Sequence, residues 1–399
     1  MNKKKVTIIL MVFIAIFSTI MLVVNRDNVE ITNEVGNKSK KSNNLLTMNL
    51  EQTAGAGDYK TVTQSEWPTE GYKFNTELSR CENGSELSWD DVNKKILMSG
   101  VSADKCYVYF DIARFDKLCN TSTLACHVAK LYTGTQGENG IYYHNTSLTN
   151  GAGDNNYRYA GANPNNYICL GSDATTCPDD NLFRIIGVFG DKVKVIRDKS
   201  VVKMHWDTRD NTWSISSLNT YLNGTYLTSI GTLSDKIDMA TWKVGGNTWD
   251  NISVSTAKEV YDYEIKNPST TASTGETEYS AKIGLMYVSD YMFAVLQDNW
   301  TLVAYNSNDA TKDYRAVKTE NWLYLGSDEY TITRSSKYSG DVFAIYSSGE
   351  VYSYSVSCNS GDPLPCSAYA KYARPSFYLI SSVEYSGGTG TSSDPIRIK

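Results

Sequence analysis

The chain has 399 residues, of which 41% are hydrophobic, with a formal charge of −6 and a pI of about 5.3. That length accommodates two or three domains at roughly 100–200 residues each, and it is enough to bury a core of useful size. The acidic balance offers nothing to a polyanion, which excludes nucleic acid as an expected partner.

Lys3, Lys4 and Lys5 precede an uncharged run from Val6 to Val24. As a helix this run is about 28 Å long, close to the thickness of bilayer hydrocarbon. Residues 1–24 therefore read as an N-terminal transmembrane signal anchor, with the lysines holding the N-terminus in the cytoplasm. A cleaved signal peptide is the alternative, but its core would be shorter and small residues would follow, whereas this run ends Met21-Leu22-Val23-Val24. Either way the remainder lies outside. The expected location is the cell membrane, single-pass, with an extracellular C-terminal ectodomain.

Residues 25–60, rich in Asn, Lys, Thr, Ser and Gly, read as a flexible stalk. Residues 61–112 read as a small disulfide-tied β module, with strands expected at Gly71–Asn75, Glu86–Asp90, Lys95–Ser99 and Lys105–Asp111 and turns at Asn83-Gly84 and Asp90-Asp91. Residues 113–150 are a helix and connector. Thr121 or Ser122 can cap the helix, and Leu124, Val128 and Leu131 share one face.

Residues 151–399 form the main β-rich domain. Gly151–Tyr167 holds too many turn formers for regular structure. A hairpin follows, Phe183–Phe189 and Lys192–Arg197 around Gly190-Asp191. The first strand reads as central and the second as buried on one face. A short helix in Trp213–Gly224 starts at Ser216 or Ser217 and ends at Asn223-Gly224. Lys282–Val288 reads as a buried strand, with Ser289-Asp290 capping a helical piece at Tyr291–Leu296, and residues 265–280 as an exposed insertion. Strands are expected at Asp341–Tyr346, Glu350–Val356, Ser376–Tyr385 and Ile396–Lys399, the last reached through a Gly-rich connection at Gly387–Pro395. The fold class is thus α+β, mostly β: a membrane helix, a small β module, then a larger antiparallel-β domain with short helices.

Eight cysteines, Cys81, Cys106, Cys119, Cys126, Cys169, Cys177, Cys358 and Cys366, contain no C-x-x-C and no accompanying histidine cluster. In an exported chain this favours disulfides over zinc. Roughly a hundred connectivities are possible; the simplest pairs neighbours: 81–106, 119–126, 169–177 and 358–366. For the second pair, Cys119 must sit outside the helix that holds Cys126, because seven residues along one helix span about 10.5 Å.

Two stretches carry a family resemblance. Cys81-Glu82-Asn83-Gly84-Ser85 and Cys106-Tyr107-Val108-Tyr109-Phe110-Asp111 resemble a small module of surface proteins in low-GC Gram-positive bacteria. NNYICLGSD, NLFRIIGVFG, SLNTYLNGTY, KIGLMYVSDY, ENWLYLGS, ARPSFYLI and GGTGTSSDPI resemble an uncharacterised extracytoplasmic domain of the same bacteria, a resemblance that implies location but no activity. The order of Trp213, Leu218-Asn219, Trp322-Leu323, Gly349, Val351 and Arg374-Pro375 is similar to C-type-lectin-like folds, including the formylglycine-generating group. By analogy this implies fold class alone. The E-P-N triplet of calcium-binding lectins is missing, and Trp249-Asp250-Asn251 stands where they have W-N-D.

Catalytic chemistry is not legible. There are three histidines, His127, His144 and His205, and no G-x-S-x-G. No catalytic, cofactor or metal residue is assigned. Asp154, Asn155, Asn156 and Asn163 are oxygen-bearing, but Asn-rich turns explain them better than calcium does. The expected function is a membrane-anchored surface protein of the binding or adhesion type, meeting a cell-wall glycan or host ligand through a surface that includes Trp206, Trp213, Trp249, Trp322 and Arg374. The alternatives are an envelope enzyme and a structural subunit of a surface assembly.

Overall fold

The computed structural model describes residues 29–31, 45–52, 57–63, 67–68, 72–90, 95–100, 103–119, 122–207, 210–268, 276–356 and 370–399. The Val6–Val24 run and the Cys358–Cys366 pair lie outside the described residues. Among the described residues, no helix is long and apolar enough to cross a membrane. The chain divides into two compact units between Arg114 and Phe115.

The smaller unit is built on Lys105–Ile112, whose side chains alternate half-exposed and buried, the two-residue period of a strand with one wet face. Cys106, Val108, Phe110 and Ile112 point inward. Its parallel neighbour is Leu45–Glu51, which pairs in turn with Tyr59–Val62. Tyr72–Phe74 and Arg80–Cys81 pair antiparallel with the other edge of Lys105–Ile112. Val29–Ile31, Lys95–Ser99 and Glu86–Asp90 form a three-stranded sheet. The flexible stalk expected over residues 25–60 is corrected here: Met48 and Leu50 sit in the unit's core beside Phe74, Val108 and Phe110. The polar residues between Leu45, Leu46, Met48 and Leu50 hid an apolar pattern that needs Lys105–Ile112 beside it to form.

Cys81 and Cys106 face each other across the ladder and are disulfide-bonded. Beside them the buried Asp104 carboxylate accepts backbone N–H bonds from Asn83, Ser85 and Lys105. Burial opposes its ionisation, but these donors outweigh it and hold the group at about 2.

The larger unit begins at Phe115, so the helix and connector at 113–150 belong to it rather than forming a separate segment. Cys119 follows the short helix Phe115–Leu118, and Cys126 lies within Leu124–Ala129. The two are disulfide-bonded with Cα atoms 5.6 Å apart, as the helix geometry demanded. The cap of the second helix is Thr123, whose side chain accepts from the Cys126 N–H.

Its main sheet runs in the order Ile283–Gly284, Ser376–Tyr378, Lys192–Arg197, Leu182–Phe189, Tyr157–Tyr159, Ile141–Tyr143, with Tyr167–Cys169 also on Leu182–Phe189. The hairpin turns at Gly190, whose φ of 60° suits glycine. Its second strand departs from expectation. Val193 through Arg197 are all buried, so both faces are covered, and Lys194 lies in the interior. A second sheet runs Val202–Met204, Lys371–Ala373, Glu329–Arg334, Asp341–Ile345, Val351–Ser355.

Ser216 caps the next helix by accepting from the Asn219 N–H at 3.0 Å, but Asn223-Gly224 does not end it. The chain continues helical through a wider turn at Leu222–Tyr226 to Ser229, because Leu222 before the glycine and Tyr226 after it are both buried against the core. Only Ile283–Gly284 of the expected 282–288 strand is extended. The following helix starts earlier, at Val288–Phe293, with Tyr287 and Asp290 closing a capping box. The expected Ser376–Tyr385 strand splits into Ser376–Tyr378 and Tyr385–Gly387, divided by a turn in which the Val383 N–H reaches the Ile380 carbonyl.

Candidate functional site

Four of the five residues expected to form a ligand surface are core residues. Trp206 and Trp213 have no exposed surface, and their rings lie 5.2 Å apart in the second apolar cluster. Trp322 is buried and donates its Nε1–H to the Tyr159 carbonyl. Arg374 is buried in a two-pronged pair with Glu329. The correction has one physical cause: large aromatic side chains contribute most by burial, and exposure cannot be read from residue type. Trp249 opens the helix Trp249–Val254; its side chain lies outside the described ones.

The Asn-rich loop uses its oxygens internally. Asp154 accepts from both Nη atoms of Arg158 and from the Tyr261 hydroxyl. Asn155 Oδ1 accepts from the Tyr143 hydroxyl, and Asn156 Oδ1 from the Gly190 N–H. A guanidinium thus supplies the positive charge among these oxygens. His144 is buried with Nδ1 accepting from the Ala152 N–H. Burial and the Arg158 charge hold it well below the usual histidine range. His127 stacks on the Tyr385 ring at 3.5 Å.

What the larger unit does present is a polar groove of two arms, sharing Gly171, Thr232 and Leu233. The first arm, 590 Å³, lies between the Cys169–Cys177 loop, the 3-10 turns of Gly231–Lys236 and the C-terminal Arg397–Ile398 strand. The second, 690 Å³, lies between Gly231–Lys236, the end of the hairpin at Arg197, and the helix that carries Tyr221 and Tyr226. Each wall has a local cause. The Cys169–Cys177 disulfide, Cα atoms 5.8 Å apart, closes the loop, and Arg397 holds it by donating to the carbonyls of Ser172 and Thr175, each at 3.1 Å. Replacing both Cys169 and Cys177 by Ser is expected to cost about 2 kcal/mol by restoring loop entropy to the unfolded chain. Urea denaturation checks the magnitude.

The lining mixes hydroxyls, an amide and cations, among them Ser172, Thr175, Thr232, Asn181, Lys236 and Arg397, with apolar Leu233 and Ile230 and the carboxylates Asp173 and Asp180. Two buried groups line the second arm. Arg197, 7% exposed, donates from Nη1 to the Asp180 carbonyl and from Nη2 to Asp180 Oδ1, but its Nε–H has no partner. Tyr226, 5% exposed, has its hydroxyl beside the Arg197 guanidinium. Burial pushes the Tyr226 phenol up to about 12, against the pull of the Arg197 charge, so it stays a neutral donor and acceptor. Sequence reasoning passed over these residues, although Tyr226 ends the marker SLNTYLNGTY.

Comparison with protein-family models, with curated proteins and with solved structures finds no match to this chain.

Proposed function

We propose that this protein is a membrane-anchored, extracytoplasmic binding protein whose larger unit holds a glycan bearing acid groups in the two-armed groove. The observation that carries this reading is the groove itself, in which the hydroxyls of Ser172, Thr175, Thr232 and Tyr226 and the cations Lys236, Arg197, Arg397 and Lys399 outnumber the two carboxylates, Asp173 and Asp180. Sugar hydroxyls are both donors and acceptors and match such a lining. Lys236, Arg397 and Arg197 favour carboxylate or phosphate substituents. The Val6–Val24 run supports the anchor, the three disulfides support an oxidising compartment, and the resemblance to extracytoplasmic surface domains points the same way.

The test is calorimetry of the detergent-solubilised full chain with acidic and neutral polysaccharides. Binding to an acidic glycan that weakens with salt is expected. Tyr226→Phe is expected to weaken it about tenfold, the loss of one hydrogen bond, while keeping the native circular dichroism. No binding to any glycan, or full affinity in Tyr226→Phe, refutes the reading.

A further inference from the structure

Apart from the groove, the interior of the larger unit brings one amine and two carboxyl groups together. Lys194, in the middle of Lys192–Arg197, is 0% exposed, and its Nζ lies 2.5 Å from Oδ2 of Asp290, which is 6% exposed. Four rings surround the amine: Tyr287 at 4.4 Å, Trp242 at 5.4 Å, Tyr378 at 5.5 Å and Phe189 at 5.7 Å. Asp290 is fixed in place because its Oδ2 also accepts the Tyr287 N–H at 2.8 Å. Glu264, 2% exposed, caps the same helix start, accepting from the N–H groups of Val288 and Ser289 at 3.0 Å each and from the Thr333 hydroxyl. Two carboxyl groups thus hang on one helix turn, and the amine is aimed at one of them.

Two charges so enclosed have lost their hydration, at a cost of several kcal/mol per ion that attraction only partly returns. A reaction that removes both charges is favoured in such a place. Holding the groups in contact also raises their effective concentration, up to about 10⁵ M or more for well-oriented partners. Burial pushes the Lys194 amine down, towards its neutral and nucleophilic form.

We propose that Lys194 and Asp290 become joined by an intramolecular amide bond. A proton passes from the Nζ ammonium to the Asp290 carboxylate along their 2.5 Å contact, and the neutral Nζ attacks Cγ. The Nζ–Cγ bond forms and one Cγ–O bond breaks. A second proton leaves Nζ for the departing hydroxyl, which is released as water. An amine and a carboxylic acid become an amide and one water, with no oxidant or reductant. The linkage ties the hairpin to the Val288–Phe293 helix across 96 positions of sequence.

A second lysine provides a control inside the same molecule. Lys371 lies 2.8 Å from Asp328, with the Tyr354 ring at 3.7 Å, but the Asp328 side chain is 39% exposed and stays hydrated. That pair is expected to remain ionic.

The experiment is peptide mapping by mass spectrometry of the full-length protein, reduced and alkylated. A branched peptide is expected that joins the segments bearing Lys194 and Asp290 and is lighter than their sum by one water, with the Lys371 and Asp328 segments unlinked. Recovery of the Lys194 and Asp290 segments wholly as separate peptides overturns the proposal. This reading uses the unaltered protein, so it does not depend on a variant folding.

Discussion

Arg374→Ala is expected to destabilise the larger unit by about 3–5 kcal/mol. The guanidinium donates Nε–H to Glu329 Oε1 at 2.7 Å and Nη2–H to Glu329 Oε2 at 3.1 Å and to the Leu323 carbonyl at 2.6 Å. The side chains of Arg374 and Glu329 are 1% and 2% exposed. Removing the arginine leaves a carboxylate in the interior with no compensating charge, and that orphaned ion sets most of the cost. Burial already raises the Glu329 carboxyl despite its partner. Without Arg374 it protonates more readily, so the variant's deficit is expected to grow with pH. The double variant Arg374→Met with Glu329→Gln, which buries no charge, is expected to recover much of the loss. Guanidinium denaturation followed by tryptophan fluorescence measures both. A single-variant loss below about 1 kcal/mol contradicts a buried pair. Glycan affinity per folded molecule is expected to stay at the wild-type value, because Arg374 does not line the groove.

The second large effect is a dependence of stability on pH that belongs to Glu264. Burial, opposed by hydrogen bonds from Ser289 and Thr333, raises its pKa from 4.5 to about 7. Between those values the native state keeps a proton that the unfolded chain has released. The unfolded state binds fewer protons there, so stability falls as pH rises. The contribution is complete below the unfolded pKa and is lost as pH passes through the folded one, a change of about 3 kcal/mol. His127 and His144, both held below the ordinary histidine range by burial, tilt the curve the other way. The difference between wild type and Glu264→Gln removes their contribution. Urea midpoints at steps from pH 5 to pH 8 are expected to show wild type losing ground to Glu264→Gln as pH rises. Parallel curves over this range contradict a protonated Glu264.

Local chemistry accounts for the parts that were legible in advance. Gly190 takes the positive φ that a two-residue hairpin turn needs, and the strands it joins begin and end within a residue of the expected places. Ser216 caps its helix because a hydroxyl one residue before the first turn can reach an unpaired N–H. Cys119–Cys126 and Cys169–Cys177 pair because short loops bring them within reach, and Cys81–Cys106 because an antiparallel ladder sets them opposite each other. Leu45–Glu51 was misread because its apolar period is short and its stabilising partner is a parallel strand far along the chain. The tryptophans and Arg374 were misplaced because their roles depend on which sheet covers them.

The sequence by itself thus determined the mostly β character, turn positions, one helix cap and the pairing of the near cysteines; the turns, the cap and the 119–126 and 169–177 pairs are set by interactions within about ten residues. Only the tertiary structure decided that Lys194 is interior, that it meets Asp290, and that Tyr226 and Arg197 line one groove. A lysine between valines in a strand reads as a solvent face. It becomes an enclosed amine only when the Val288–Phe293 helix start and the rings of Trp242, Tyr287 and Tyr378 close over it. Burial is a property of what a distant segment brings, and no local pattern encodes it.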